Sequence, residues 1–346
     1  MTSGPEDTPV QNGPQGDTTD QVEAALAALA DLAVEDSEQD AAAAAADAAA
    51  ARLTADRDQV VANVRDLAGL APGEGPDDDH LYAGVREFTR AFDYWYGRVL
   101  REKSVRNYRS LVIARINPFV RRIELDGLDT TATAWRLVED YNSRNFVTAG
   151  GWALEALAGA AGDNVQKSPA EGIDLQRFDV GTGDYHLYVL KSGLVTRNSD
   201  IVKALKRNAR QAERLLRQSH GTGAVHANWV VLAGKTRSSF EDGVNRPSSA
   251  EFWAAMLGLD ERRAVDTALA MAAEAGRLVR RDASEHVDAL KTLVSDYIAR
   301  RDDDETVDWE FIALRNMSEP EGWRAEDRQR HQRALQALAD TGYELG

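Results

Sequence analysis

Residues 172–193 read GIDLQRFDVGTGDYHLYVLKSG. Two runs with the period-two texture of strands, 172–177 and 185–191, flank DVGTGD, whose glycines and aspartates favour a tight reversal. A hairpin centred between Gly181 and Thr182 places Asp174 opposite Val189. Lys191 lies two residues further along the second strand, on the same face, so Asp174 and Lys191 become diagonal neighbours. A slip of one residue would send them to opposite faces, so this juxtaposition depends on the turn.

A carboxylate beside an ammonium on adjacent strands suits a hard divalent cation, which takes oxygen ligands and keeps several waters. Such an ion polarises a phosphodiester oxygen and acidifies water, and a nearby lysine can orient that water. An exposed Asp–Lys pair with no function would be worth under about 1 kcal/mol. Leu187 and Val189, on the strand face of Lys191, argue against that plain surface pair. Ser192-Gly193 ends the strand with residues that allow a backbone or phosphate to come close. Upstream, in GWALEALAG (151–159), Glu155 shares a helix face with Trp152 and Gly159, opposite Leu154 and Leu157.

Outward from the hairpin, 198–219 is a basic helix and 224–233 a buried strand, so strands and helices mix in an α/β (α+β) order. Helical patterns lie on both sides: 81–100, with Phe88, Phe92, Trp95 and Tyr96 at helical spacing, then 130–141 and 151–161, with a loop or interruption over 142–151. Beyond Pro247 come helical stretches to about Asp340. The implied division is an acidic, Ala-rich arm over 1–79 that is disordered or partly helical, a helical region over 80–145, a core over 146–246 and a helical region over 247–346.

The chain has 346 residues, a formal net charge of −16 and no cysteine. Thiol nucleophiles, cysteine zinc sites, iron–sulfur clusters and disulfides are therefore excluded. A cytoplasmic location with no membrane span is expected, since no apolar run approaches the ~20 residues of a spanning helix. The acidity is uneven: residues 1–80 hold 18 Asp/Glu and 3 Arg, whereas 191–217 hold eight bases and two acids, and 101–122 hold seven bases and one acid. The middle of the chain can therefore meet a polyanion, and the arm can compete with it or dock a partner protein. His186, His220 and His226 lack the spacing of a zinc site. His226 is expected to be a buried strand residue beside the hairpin site. No phosphate-binding loop precedes a helix.

The helix glutamate, the Gly-Ile-Asp, the hairpin ending in YHLYVLKSG and the basic helix and strand after it resemble the PD-(D/E)xK nuclease core. In detail, GWALEALAG, GIDLQRFD and YHLYVLKSG are similar to type II restriction endonucleases of the PmeII type, over residues 150–235. The resemblance implies a small mixed sheet flanked by helices, with helical N- and C-terminal extensions. It implies that Asp174 binds a metal, Lys191 assists the attacking water and Glu155 completes the metal site, with the Leu190 carbonyl as a further ligand. One departure stands out. The position two before the lysine usually carries Glu, Asp or Gln, and here it is Val189, so Glu155 or a water must replace the missing ligand or metal affinity is weakened.

The expected function is a Mg²⁺-dependent (or Mn²⁺-dependent) DNA endonuclease in restriction or defence against foreign DNA. The alternative is a degraded nuclease fold that binds DNA or a partner in a defence complex. Ser192, Lys203, Lys206, Arg207, Arg210 and Arg214, with Arg217, are the expected DNA-backbone contacts. The helix positions among them are read as spanning more than one helix face. A homodimer is expected, because cutting both strands of a symmetric site needs two engagements.

Overall fold

The computed structural model describes residues 57–193, 199–219, 223–233, 237–241, 243–279, 284–317 and 323–343. Residues 1–56 of the arm expected over 1–79, and His220, lie outside the described residues. Among the described residues, five α-helices lead in: α1 (Arg57–Ala68), α2 (Asp78–Phe92), α3 (Tyr108–Leu111), α4 (Pro118–Glu124) and α5 (Thr130–Ala161), with a π-helical stretch Asp93–Ser104 between α2 and α3. Then come β1 (Val165–Lys167), β2 (Leu175–Phe178), β3 (Tyr185–Lys191), α6 (Ser199–Ser219), β4 (Val225–Val231), β5 (Ser239–Glu241) and β6 (Val244–Arg246). Five helices close the chain: α7 (Ser249–Leu257), α8 (Glu261–Val279), α9 (Ser284–Ile298), α10 (Trp309–Met317) and α11 (Trp323–Asp340).

The strands form one mixed sheet in the order β1-β2-β3-β4-β6-β5. β1, β2 and β3 are antiparallel neighbours, and β4 runs parallel to β3 after the α6 crossover. The hairpin register is the expected one, with Leu175 opposite Tyr188 and Phe178 opposite Tyr185. The turn holds it there. The Asp179 carboxylate accepts the N–H groups of Gly181 (2.9 Å) and Thr182 (3.3 Å), and Gly183 takes a φ of +78° that a side chain would resist. The short strands β1, β5 and β6 extend the sheet beyond the three strands legible in the sequence.

Alternation along β3 and β4 gives the sheet two buried faces, as a parallel pair with a crossover helix requires. Tyr188, Leu190 and Val230 face a core built with α1, α2, α5, α7 and α8. Leu187, Val189, Trp229 and Val231 face α6, which covers them with Leu205, Ala209, Ala212 and Leu216. A separate core joins α3, the first half of α5, α9, α10 and α11, through Tyr108, Leu137, Tyr141, Leu293, Tyr297, Ile312 and Leu338. α5 serves both cores along a length of about 48 Å.

Two expectations are corrected here. The interruption expected over 142–151 is absent: α5 runs unbroken for 32 residues, because burial of Tyr141, Ala149 and Ala153 on either side outweighs the poor helix propensity of Gly150 and Gly151. The arm expected to persist to residue 79 gives way to α1, whose Val60, Val61 and Val64 are buried. Asn63 donates to Glu274 (3.0 Å) and so ties α1 to α8. Among the described residues, no helix is long and apolar enough to cross a membrane.

Candidate active site

Asp174 immediately precedes β2, where the paired strands begin to part. Its N–H donates to the Tyr188 carbonyl (2.9 Å), and its carboxylate accepts the Leu190 N–H (2.6 Å). Both bonds tie the acid to the end of β3. The Lys191 carbonyl is taken by the Leu232 N–H of the neighbouring chain segment (2.8 Å). Successive residues of a strand address opposite edges. Leu190 therefore addresses the β2 edge, and its carbonyl points to the side on which Asp174 lies.

Lys191 leaves the sheet on the α6 face, with its ammonium 5.7 Å from the centre of the Trp229 ring. Trp229 pairs in register with Val189, so the valine that departs from the acidic motif is a core residue, 7% exposed and packed with Leu187 and Trp229. Acid and amine thus stand at the same strand ends, each held by a different partner.

Glu155 arrives from the opposite face. Gly151, one helical turn before it, lies so close to the strand end that an added Cβ would stand 2.9 Å from the Ser192 Cβ. Gly159, one turn after it, would put a Cβ 3.3 Å from Leu175. Residues four apart share a helix face, so Glu155 faces the gap between the end of β3 and the start of β2, where Asp174 lies. Burial and the Asp174 carboxylate push the Glu155 carboxyl above the usual glutamate range, against the pull of Lys167 and Lys191. That shift registers two acids held together in a half-buried place. The sequence reading missed Gly151 and Lys167. The Gly150-Gly151 pair was visible, but it reads as a helix break until Ser192 is known to lie beneath it.

The donor set is two carboxylates and a backbone carbonyl, which suits a hard cation rather than zinc or copper. Among the described residues, no three His, Asp or Glu side chains cluster tightly enough to cage an ion. An ion here would keep waters or take substrate oxygens, as Mg²⁺ habitually does.

α6 turns its basic residues outward in one stripe. Lys203, Lys206, Arg207, Arg210 and Arg214 line a shallow groove along the solvent side, opposite the buried Leu205, Ala209, Ala212 and Leu216. The expectation that they spread over several faces is corrected: offsets of 3, 4, 7 and 11 residues from Lys203 fall on one side of a helix. Arg217's side chain lies outside the described residues. Ser192 packs under Gly151.

His226 is not beside this site. It pairs with His186 near the start of β4, about 16 Å along the strands from Lys191. It contacts Asp184 (3.2 Å), and its side chain is 38% exposed, so the buried position expected for it is also corrected.

Residues 109–275 match the family model of type II restriction endonuclease EcoO109I. The match covers just under half of the chain and takes in the whole sheet, Glu155, Asp174, Lys191 and α6. No curated protein matches the chain. That match and the mixed sheet between helices are consistent with a restriction-endonuclease-like segment of the PD-(D/E)xK kind over 109–275, and the match supports a nuclease function of the restriction type in general.

Proposed function

We propose that this protein is a divalent-metal-dependent DNA endonuclease that hydrolyses phosphodiester bonds in restriction or defence against foreign DNA. The observation that carries the reading is convergence. A helix acid, Glu155, a strand acid, Asp174, and a strand lysine, Lys191, come from three elements to the same strand ends.

In this reading Asp174, Glu155 and the Leu190 carbonyl would hold a Mg²⁺ or Mn²⁺ ion. The ion would supply Lewis acidity towards a phosphoryl oxygen and lower the pKa of water. Asp174, clamped by the Leu190 N–H, keeps a fixed direction. Lys191, anchored over Trp229, orients the attacking water and stabilises the charge that builds on the phosphoryl oxygens. The water oxygen bonds to phosphorus, the bond to the leaving sugar oxygen breaks, and that oxygen takes up a proton. Glu155 supplies the second acid that the motif normally draws from the position of Val189. Ser192 and the α6 stripe face the DNA backbone, and two copies of the chain serve the two strands of a symmetric site.

The test is plasmid cleavage with Mg²⁺ or Mn²⁺, comparing wild type with Asp174→Ala, Lys191→Ala and Glu155→Ala. Wild type should cut, and each variant should lose about 100-fold or more, as expected for groups acting on the reacting atoms. The same trace activity in all four proteins would end the enzyme reading.

A further inference from the structure

We propose that Lys167 is a second substrate-binding lysine, which grips a DNA phosphate beside the scissile one from the α5 side of the sheet. The inference rests on the endonuclease reading above and adds a residue that the Asp174/Lys191 motif does not contain.

Lys167 ends the edge strand β1 directly opposite Leu175, the residue after Asp174. Opposed residues of an antiparallel pair project from the same face. Leu175 packs into the α5-side core, and so does Val165, two residues before Lys167. Lys167 therefore stands on the face from which Glu155 enters the site, whereas Lys191 stands on the other. The two lysines thus lie on opposite faces of the sheet, near the strand ends that carry Asp174.

The backbone beneath Lys167 is anchored. The Ser168 N–H donates to the Asp174 carbonyl (3.4 Å), the Ser168 hydroxyl accepts the Ala170 N–H (3.2 Å), and Pro169 ends the strand. The side chain itself is exposed. An anchored root with a solvated head at the rim of a two-acid site is how a lysine reaches a phosphate as a point charge. Lysines on edge strands also discourage unwanted strand pairing. That role would be indifferent to DNA, which makes the two separable.

The experiment measures DNA affinity of the full chain in Ca²⁺ across a salt series for wild type, Lys167→Met and Lys167→Arg, with cleavage in Mg²⁺ alongside. Neutralising one phosphate fewer lowers the slope of log K against log salt by about 0.9, which near 0.15 M salt is about fivefold in Kd. Lys167→Met should show both changes, and Lys167→Arg should restore the wild-type slope. An unchanged slope in Lys167→Met overturns the proposal, and self-association of that variant with normal DNA affinity assigns Lys167 to edge protection. If wild type binds DNA but does not cut it, the endonuclease reading falls, while the slope comparison still decides whether Lys167 holds a phosphate.

Discussion

Gly150 and Gly151 are neighbours inside one helix, and the structure gives them opposite fates on substitution. No atom lies within 4 Å of a Cβ added at Gly150, whereas one added at Gly151 would meet the Ser192 Cβ at 2.9 Å and its Oγ at 3.1 Å. Alanine in a helix interior gains about 0.5–1 kcal/mol over glycine at either position. At Gly151 that gain is opposed by an overlap of the kind that costs about 1–3 kcal/mol in a packed place. Gly150→Ala should therefore raise Tm by about 1–2 °C in a chain of this size, and Gly151→Ala should leave it level or lower it by a few degrees. Cleavage should separate the pair further. The overlap pushes Glu155 away from Asp174 by a few tenths of an ångström, and displacement of about 1 Å can cost 100-fold, so a several-fold loss is expected for Gly151→Ala and none for Gly150→Ala. Ser192→Gly removes the struck atom, so in that background Gly151→Ala should recover stability, with a coupling of about 1–2 kcal/mol in a double-mutant cycle. If Gly151→Ala stabilises as much as Gly150→Ala and cuts DNA normally, the close approach that delivers Glu155 to the site is refuted.

Three further outcomes follow from the same structure. The Glu155 carboxyl titrates above its ordinary value, so ionising it costs the metal-free folded protein; Glu155→Gln should become more stable than wild type as pH rises above the usual glutamate range near 4.3, and Ca²⁺ should shrink the gap, as urea titrations at several pH values will show. Asp327, on α11, takes hydrogen bonds from Arg109 (2.5 Å), Arg315 (3.3 Å) and Tyr297. Burial pushes its pKa up, but Tyr297, Arg109 and Arg315 outweigh burial and hold it below the ordinary aspartate value, so its contribution is complete above about pH 4 and is lost as pH falls through the depressed value. Asp327→Ala, which removes the carboxylate that Arg109, Arg315 and Tyr297 share, should cost about 3–5 kcal/mol in chemical denaturation and flatten the acid limb of the stability curve. On α6, Arg207→Gln with Arg210→Gln should cut the salt slope of DNA binding by about 0.9 for each phosphate no longer neutralised, measured by titration across a range of salt concentrations; an unchanged slope would free that stripe from DNA.

The hairpin was legible because its information is local. Turn residues over 179–184 set the register, and the register determines which side chains share a face. The continuity of α5 was not legible, since it is decided by Ser192, far along the chain from the two glycines, and by burial on both sides of them. The anchoring of α1 was half visible: Val60, Val61 and Val64 have helical spacing, yet they follow an alanine run whose methyl groups give little to pack against. Only the contact with α8 shows that the valines are buried. The single face of α6 could have been read from offsets of 3, 4, 7 and 11, which the sequence contains in full. The short strands β1, β5 and β6, three residues each, carry too little pattern to be seen.

Val189 shows why the site takes its second acid from a helix. A carboxylate at this position would stand between Leu187 and Trp229 under α6, where an unpaired charge costs several kcal/mol. The face that Lys191 shares with Val189 is closed by Leu205, Ala209, Ala212 and Leu216, so an acid there would have to be drawn to the rim to meet an ion. On the opposite face Gly151 and Gly159 of α5 bring a helix close enough for a glutamate side chain to reach the same strand ends. The two arrangements exclude each other on packing grounds: a tightly seated α6 requires an apolar residue at 189, and a site without an acid at 189 requires a second one from elsewhere. Val189→Glu should therefore not improve cleavage. It should destabilise the α6 layer by about 2 kcal/mol or more and leave dependence on Glu155 intact, so that adding Glu155→Ala to it still abolishes cutting. Full activity in the doubly substituted protein would show that the motif acid can be placed at 189 after all and that Glu155 is not its replacement.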